Sequence, residues 1–288
     1  MVNETEIQAL IHLLDDDDSE VFRHVHDKLI SLGTEVIPKL EEAWSTELNP
    51  ATHERLEEII HEIQFYSLEK DWTEWVETEA ADLLTGAWLV ARYFYPELKL
   101  DELSKKIQKL RQTIWLELNY NQTPLEQIQI FNQVFYNYHN FQGLQNSDDY
   151  QDYCINNAID SRKGNAISIG IIYQVIANDL NLPVYGVNLM RHYVLSFCKK
   201  TLFEFEGDNR EKDVMFYINP VNKGSIFSRN EIKDYLDKLK AEHDAKNFVP
   251  ASPREIIREL LVYLLETANH KNIAQQSVDL NKLLKMLD

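Results

Sequence analysis

Apolar residues recur at steps of three and four along most of this chain and give way to β-branched and aromatic runs in one short central region. The pattern predicts helices toward both ends and a small sheet between them. Ile7, Leu10, Ile11 and Leu14 form a first stripe, Asp15 to Asp18 interrupt it, and Val21, Val25 and Leu29 resume it, which reads as a helical hairpin. Gly33 can stop the second helix, and Val36, Ile37, Leu40 and Trp44 make another stripe. Asn49-Pro50 then supplies an N-cap and a proline at the first helical position, opening a helix with Leu56, Ile59, Ile60 and Ile63 inward. From Trp72 to Phe141 aromatic density rises while the helical spacing persists. Ala80 to Tyr95 reads as a buried helix that ends before Pro96, because a residue preceding proline is pushed out of helical geometry. Another begins at Leu100-Asp101 and keeps its stripe through Ile107, Leu110, Ile114 and Leu118. Thr123-Pro124-Leu125-Glu126 is a capping box opening a helix to about His139, and Tyr150 to Ile159 is predicted to be helical as well.

The central region changes character at Gly164, which permits a close turn. Ile167, Ile171, Ile172, Val175 and Ile176 then describe a helix apolar on more than one side, as a buried central helix must be, ending near Asn181-Leu182-Pro183. Val184 to Leu189 and His192 to Phe197 read as strands, and after a Gly207-Asp208-Asn209 turn the second run extends through Val214 to Ile218. The prediction is an antiparallel sheet packed on a helix, an α+β architecture. Beyond it, Ser228-Arg229-Asn230-Glu231 opens a helix through Leu239, and Ser252-Pro253-Arg254-Glu255 opens a longer one carrying Ile256, Ile257, Leu260, Leu261, Leu264 and Leu265. Leu280, Leu283, Leu284 and Leu287 form a closing stripe, suited to capping the core and also to a homodimer contact.

The segment Arg162-Lys163-Gly164-Asn165-Ala166-Ile167-Ser168, the apolar helix after it, the strand-like Pro183 to Leu189, His192 and Ile218-Asn219-Pro220 together resemble the core of the transglutaminase-like superfamily. In that family a Gly-x-Cys turn opens a helix, a His follows on one strand and an Asp on the next. Ala91 to Leu98, with Phe131-Asn132 and Asn140-Phe141-Gln142-Gly143, resembles the helical lead-in of a bacterial branch whose core is often followed by tetratricopeptide-like helices. The resemblance runs from about Trp88 to Val221. It implies a papain-like core over residues 146–245, a helical lead-in over 72–145 and a C-terminal helical hairpin over 246–288. The paired helices of residues 1–68 resemble HEAT-like repeats.

Chemistry at such a core depends on a thiolate at a helix N-terminus, a His on the facing strand to take the proton, and a third group to orient the imidazole. Here the resemblance maps those positions onto Ala166, His192 and Asn219. An amide can orient a histidine, so Asn219 alone leaves the arrangement intact, whereas Ala166 has no heteroatom. Ser168 should lie roughly 200° around the helix axis from Ala166, which reads as a cap or core hydroxyl. Cys198 shares a strand face with His192 but should stand roughly 20 Å away, and the place of Cys154 is left open. The expected function is a catalytically inactive protein- or peptide-binding module, with Asn165, Ser168, Asn188, Arg191 and Tyr217 as candidate lining of a vestigial cleft. Two alternatives stand beside it. One is an amide-bond hydrolase or acyl transferase using a non-standard nucleophile; the other is a structural role in which the helical ends hold an assembly together. His192 can also be read as an ordinary strand histidine that satisfies one partner.

Composition narrows the partners. With 47 acidic against 29 basic residues, the 288-residue chain has a formal net charge of -18, which disfavours nucleic acid and anionic membrane surfaces. No apolar run approaches the roughly 20 residues a bilayer requires, and Met1 to Leu14 lacks the pattern of a signal peptide, so a cytoplasmic protein is expected. Two cysteines make no disulfide framework and lack zinc spacing. Asp15 to Asp18 read as helix capping rather than a calcium loop, since the spaced ligands and glycine turn are missing. His53, Glu57 and His61 share a helix face but fall short of the H-E-x-x-H zinc motif, and read as a solvated face. Neither a metal nor a cofactor is implied.

Overall fold

The capping residues decide where the first helices begin. A computed structural model describes residues 4–16, 18–119, 121–145, 149–189, 192–199, 213–238 and 248–288. Its first unit, Met1–Glu74, is built from α1 (Glu4–Leu13), α2 (Ser19–Leu32), α3 (Ile37–Thr46) and α4 (Pro50–Glu77). Asp18 accepts the Glu20 N-H at 2.8 Å and so caps α2, while Gly33, at φ 67, ends it. Asp15 receives Asn49 Nδ2 at 2.6 Å and Thr52 Oγ1 at 2.8 Å, fastening the end of α1 to the start of α4. Asp15 and Asp18 are thus spent on helix ends. Leu14, Leu29, Val36, Leu40, Leu56 and Ile59 are fully buried at the centre of this unit. On the outer face of α4, His53 lies against Trp44 with ring centroids 4.6 Å apart and His61 stacks on Phe65 at 6.1 Å, so aromatic neighbours half-cover this face. The sequence places a joint between residues 68 and 72. There α4 is continuous through Glu77, and the two units divide at Glu74 and Trp75.

In the second unit, Trp75–Asp288, α5 (Leu83–Phe94) is capped by Asp82 and stops ahead of Pro96; α6 (Leu100–Glu117) follows. The capping box of Thr123 and Glu126 opens α7 (Pro124–Asn132), which runs on into a single π-helical stretch at Gln133–Tyr138. Its cause is aromatic crowding: Phe131, Phe135 and Tyr136 all gather on Tyr173, with centroids 4.1, 5.3 and 6.3 Å away. A wider turn brings the adjacent residues Phe135 and Tyr136 toward the same ring. The helix predicted over Tyr150 to Ile159 is split. A 3-10 turn at Tyr150–Tyr153 and α8 (Ile155–Ser161) are separated by Cys154 in extended backbone.

Two short strands, β1 (Gln142–Gly143) and β2 (Lys163–Gly164), pair in parallel and deliver the chain to α9 (Ala166–Asp179). Ile167, Ile169, Ile171, Ile172 and Ile176 of α9 are each at most 1 % exposed, and each gains about 2 kcal/mol by leaving water. The main sheet packs on this helix in the order β3 (Val184–Leu189), β4 (His192–Cys198), β5 (Val214–Asn219) and β6 (Ser225–Phe227), antiparallel throughout. The first three strands follow the sequence prediction; β6 is an addition. Tyr193 fills the gap between helix and sheet. A methyl group on Gly170 of α9 would meet its ring at 2.4 Å, and one on Gly186 of β3 would meet its hydroxyl at 2.0 Å.

After the sheet come α10 (Arg229–Lys238), α11 (Pro253–His270) and α12 (Ala274–Lys285). Helix α11 packs on α5 and α12, and Leu280 and Leu283 are buried. The fold is therefore mainly helical around a small antiparallel sheet, in line with the α+β expectation. The Gly207-Asp208-Asn209 turn, the helix end at Leu239 and the expected borders at 146 and 245 lie outside the described residues. Among the described residues, no helix is long and apolar enough to cross a membrane.

Candidate functional site

Helix α9 begins with a polar knot. Asn165 is in extended backbone, its Oδ1 accepts the Ser168 N-H at 3.0 Å, and its main-chain oxygen accepts the Ile169 N-H at 3.1 Å. Asp152 O gathers both the Asn165 N-H, at 3.2 Å, and the Ser168 hydroxyl, at 2.7 Å. These bonds account for the first turn except at two places. The N-H groups of Ala166 and Ile167 have no acceptor among the described residues, as expected at the end of a helix. Asn165 Nδ2 is likewise buried and unpaired, in a side chain belonging to a residue only 8 % exposed.

The strands bring the remaining groups to this helix end. Leu195 pairs with Ile218, so one step further Asn219 stands level with Val194, two residues from His192 at the start of β4. His192, Asn219 and the Asn165–Ile167 turn line one cavity of about 810 Å³. Val221, Asn222 and Phe227 continue its wall, and Tyr153 and Tyr263 enter from elsewhere in the chain, their rings 6.1 Å apart. Asn219 Oδ1 accepts the Val221 and Asn222 N-H groups at 3.0 and 3.1 Å, which fixes the amide with its oxygen in the turn. Glu231 also lines the cavity. Its Oε2 accepts the Ser228 N-H at 2.7 Å and the Ser228 hydroxyl at 2.8 Å, and these bonds hold the carboxyl below its usual range. Burial raises the Tyr263 phenol and Glu259 behind it.

The structure thus brings together Ala166, His192, Asn219 and Asn165. Three residues expected in the cleft stand outside its wall, and each has another partner. Ser168 is fully buried and bonded to Asp152 O, as its angular offset from Ala166 requires. Tyr217 is 1 % exposed and donates to Phe248 O at 2.9 Å, and Asn188 Nδ2 reaches Glu259 Oε2 at 3.5 Å. Arg191 lies outside the described residues. Tyr153, Asn222 and Tyr263 were not singled out from the sequence; each reads there as one more aromatic or turn residue, with no local signal of a shared wall.

Neither thiol reaches the cavity wall. Cys154 is 1 % exposed and its Sγ donates to Tyr150 O at 3.3 Å; burial, with Asp149 and Asp152 nearby, pushes its pKa far up. Cys198 is fully buried 3.7 Å from the Ser196 hydroxyl, and burial pushes it up to about 12. A cysteine acts as a nucleophile through its thiolate, which both sites disfavour.

Comparison with known proteins locates this arrangement in a wider group. The sequence model of a family described as Transglutaminase-like superfamily matches residues 99–262, which take in α9, β3, β4 and β5. A UPF0162 protein of Vibrio cholerae serotype O1 is 23% identical over 173 residues, covering 57% of this chain and 60% of the relative. The chain therefore spans less than two thirds of that relative's length. No solved structure matches it.

Proposed function

Since this chain belongs to the transglutaminase-like superfamily, we propose that it is a catalytically silent member that binds a peptide or protein segment in the cavity headed by Ala166, His192 and Asn219. The observation that carries this reading is the pairing of an open cavity with a methyl group at its helix end. A member of the family that attacks an acyl group needs a thiolate at that end, and Ala166 offers none. Cys154 and Cys198, buried and hydrogen-bonded elsewhere, supply no substitute. What remains is a recess of a size that small ligands and peptide side chains occupy, with apolar and aromatic walls and a few convergent polar groups. We read the helical lead-in as that of the bacterial branch resembled by its sequence.

Titration of the isotopically labelled protein with pools of acetylated peptides tests this. The expected result is saturable movement of the Ala166, Ile167 and Asn219 resonances. His192→Ala should weaken binding about tenfold, equivalent to about 1.4 kcal/mol, with every peptide recovered intact by mass spectrometry. Peptide hydrolysed or cross-linked by the wild-type chain would overturn the silent reading. Resonances unmoved by every pool would overturn the binding reading.

A further inference from the structure

The hydrogen bonds around the α9 end of the cavity settle which way two amide side chains face, and this selects a ligand chemistry. Asn165 Oδ1 is taken by the Ser168 N-H, and Asn219 Oδ1 by the Val221 and Asn222 N-H groups. A backbone N-H can be met only by an oxygen, so both amides must present their NH2 groups on the other side. Asn165 Nδ2 is buried without a partner, and Asn219 Nδ2 has none among the described residues. The Ala166 and Ile167 N-H groups belong to residues on the same cavity wall, at the positive end of a 14-residue helix. The four residues that carry these unmet donors line one cavity, with Asn165 Nδ2 buried in its wall, and Ala166 contributes only a methyl group to obstruct them.

We infer that this end of the cavity binds a carboxylate, carried by the peptide or protein segment that the site takes up. The inference rests on the reading of the cavity as a binding site and adds the chemical class of what enters it. A carboxylate has only acceptors and so suits a wall of unmet donors, whereas a neutral amide brings its own N-H groups against them. The cluster also differs from an imidazole-orienting site, because the oxygen of Asn219 that would receive a ring N-H is held in the turn. The chain's net charge of -18 opposes any anion at long range. That field is screened over about 8 Å at physiological salt, while the donors act at contact. Among the described residues, Glu231 is the acidic group on the wall, and its Oε2 is already held by Ser228. Both a peptide C-terminus and an internal Asp or Glu side chain offer this chemistry.

The test uses the full chain, labelled with nitrogen-15, and four probes. N-acetylglycine is compared with N-acetylglycinamide. An acetylated alanine tripeptide with a free C-terminus is compared with an amidated one in which the central residue is aspartate. The expected result is that N-acetylglycine moves the Ala166 and Ile167 amides and the Asn165 and Asn219 side-chain NH2 signals, with at least tenfold tighter binding than N-acetylglycinamide. The tighter of the two tripeptides identifies the source of the carboxylate. Asn219→Asp keeps the oxygen that Val221 and Asn222 need, so the turn survives, but places a charge where a donor stood. It should weaken N-acetylglycine at least tenfold more than it weakens N-acetylglycinamide. Equal binding of acid and amide would overturn the carboxylate inference and leave the peptide-binding proposal standing. Unchanged binding of N-acetylglycine by Asn219→Asp would also overturn it. Response to N-acetylglycine with no response to any peptide would overturn the peptide proposal alone.

Discussion

Ala166→Cys will give a protein that iodoacetamide alkylates at the new position on the order of 10,000 times faster, at pH 7, than at either native cysteine. The ratio follows from thiolate populations. With its pKa pushed up to about 12, Cys198 is ionised to about one part in 100,000 at neutral pH, and Cys154 is higher still. A thiol on the cavity wall at the start of α9 feels the helix dipole and the unmet Ala166 and Ile167 N-H groups. A pKa of about 8 or below is then expected, which leaves roughly a tenth or more as thiolate. Peptide mapping after timed alkylation reads out all three positions in one sample. Should the variant react no faster than the wild type, the helix end is closed and the cavity reading fails. Reactivity here is not turnover, since Asn219 Oδ1 remains bound to Val221 and Asn222 rather than to an imidazole.

Gly186→Ala should lower stability by about 3 kcal/mol, the upper range for forcing a methyl group into a packed core. The added carbon would lie 2.0 Å from Tyr193 Oη and 2.6 Å from its Cζ. Neither side can yield easily. The Gly186 N-H is held by Gln174 Oε1 at 2.8 Å, its oxygen accepts the Ala251 N-H at 2.8 Å, and Gly170 already lies against the ring's other edge. Tyr193 Oη is buried with no partner, so Tyr193→Phe by itself should cost less than about 1 kcal/mol. Combined with Gly186→Ala it should restore part of the loss, because the closest clash disappears. Urea midpoints of the two single variants and the double variant measure this directly. A Gly186→Ala protein as stable as the wild type would mean that the ring is not clamped.

Much of the fold could be read from short-range rules. The capping boxes at Thr123 and Ser252 and the stop before Pro96 depend on residues within one turn of each other, and they occur where the sequence puts them. Ala166, His192 and Asn219 were legible for a related reason. Each occupies a fixed place in an ordered turn, helix and strand series, so aligning the elements aligns the residues. What could not be read depends on distant partners. The π-helical turn answers to Tyr173, which lies 35 or more residues beyond it, and no local residue encodes it. Tyr153 and Tyr263 meet across more than a hundred residues. Ser168, Asn188 and Tyr217 stand close to the motif in sequence yet turn away, because each finds a partner that sequence proximity does not reveal.

The loop that carries Asn219 is stitched to the aromatic cluster beneath it. Pro220 O accepts from Tyr136 at 3.1 Å, Gly224 O accepts from Asn132 Nδ2 at 2.8 Å, and Asn132 Oδ1 accepts from Tyr173 at 2.9 Å. Anything that tugs on that asparagine therefore strains three hydrogen bonds that end on chromophores or beside them. The proposed binding should consequently come with its own optical gauge: near-ultraviolet circular dichroism of these tyrosines is expected to change with any ligand that moves the loop, without a dye, a tag or an assay for any reaction.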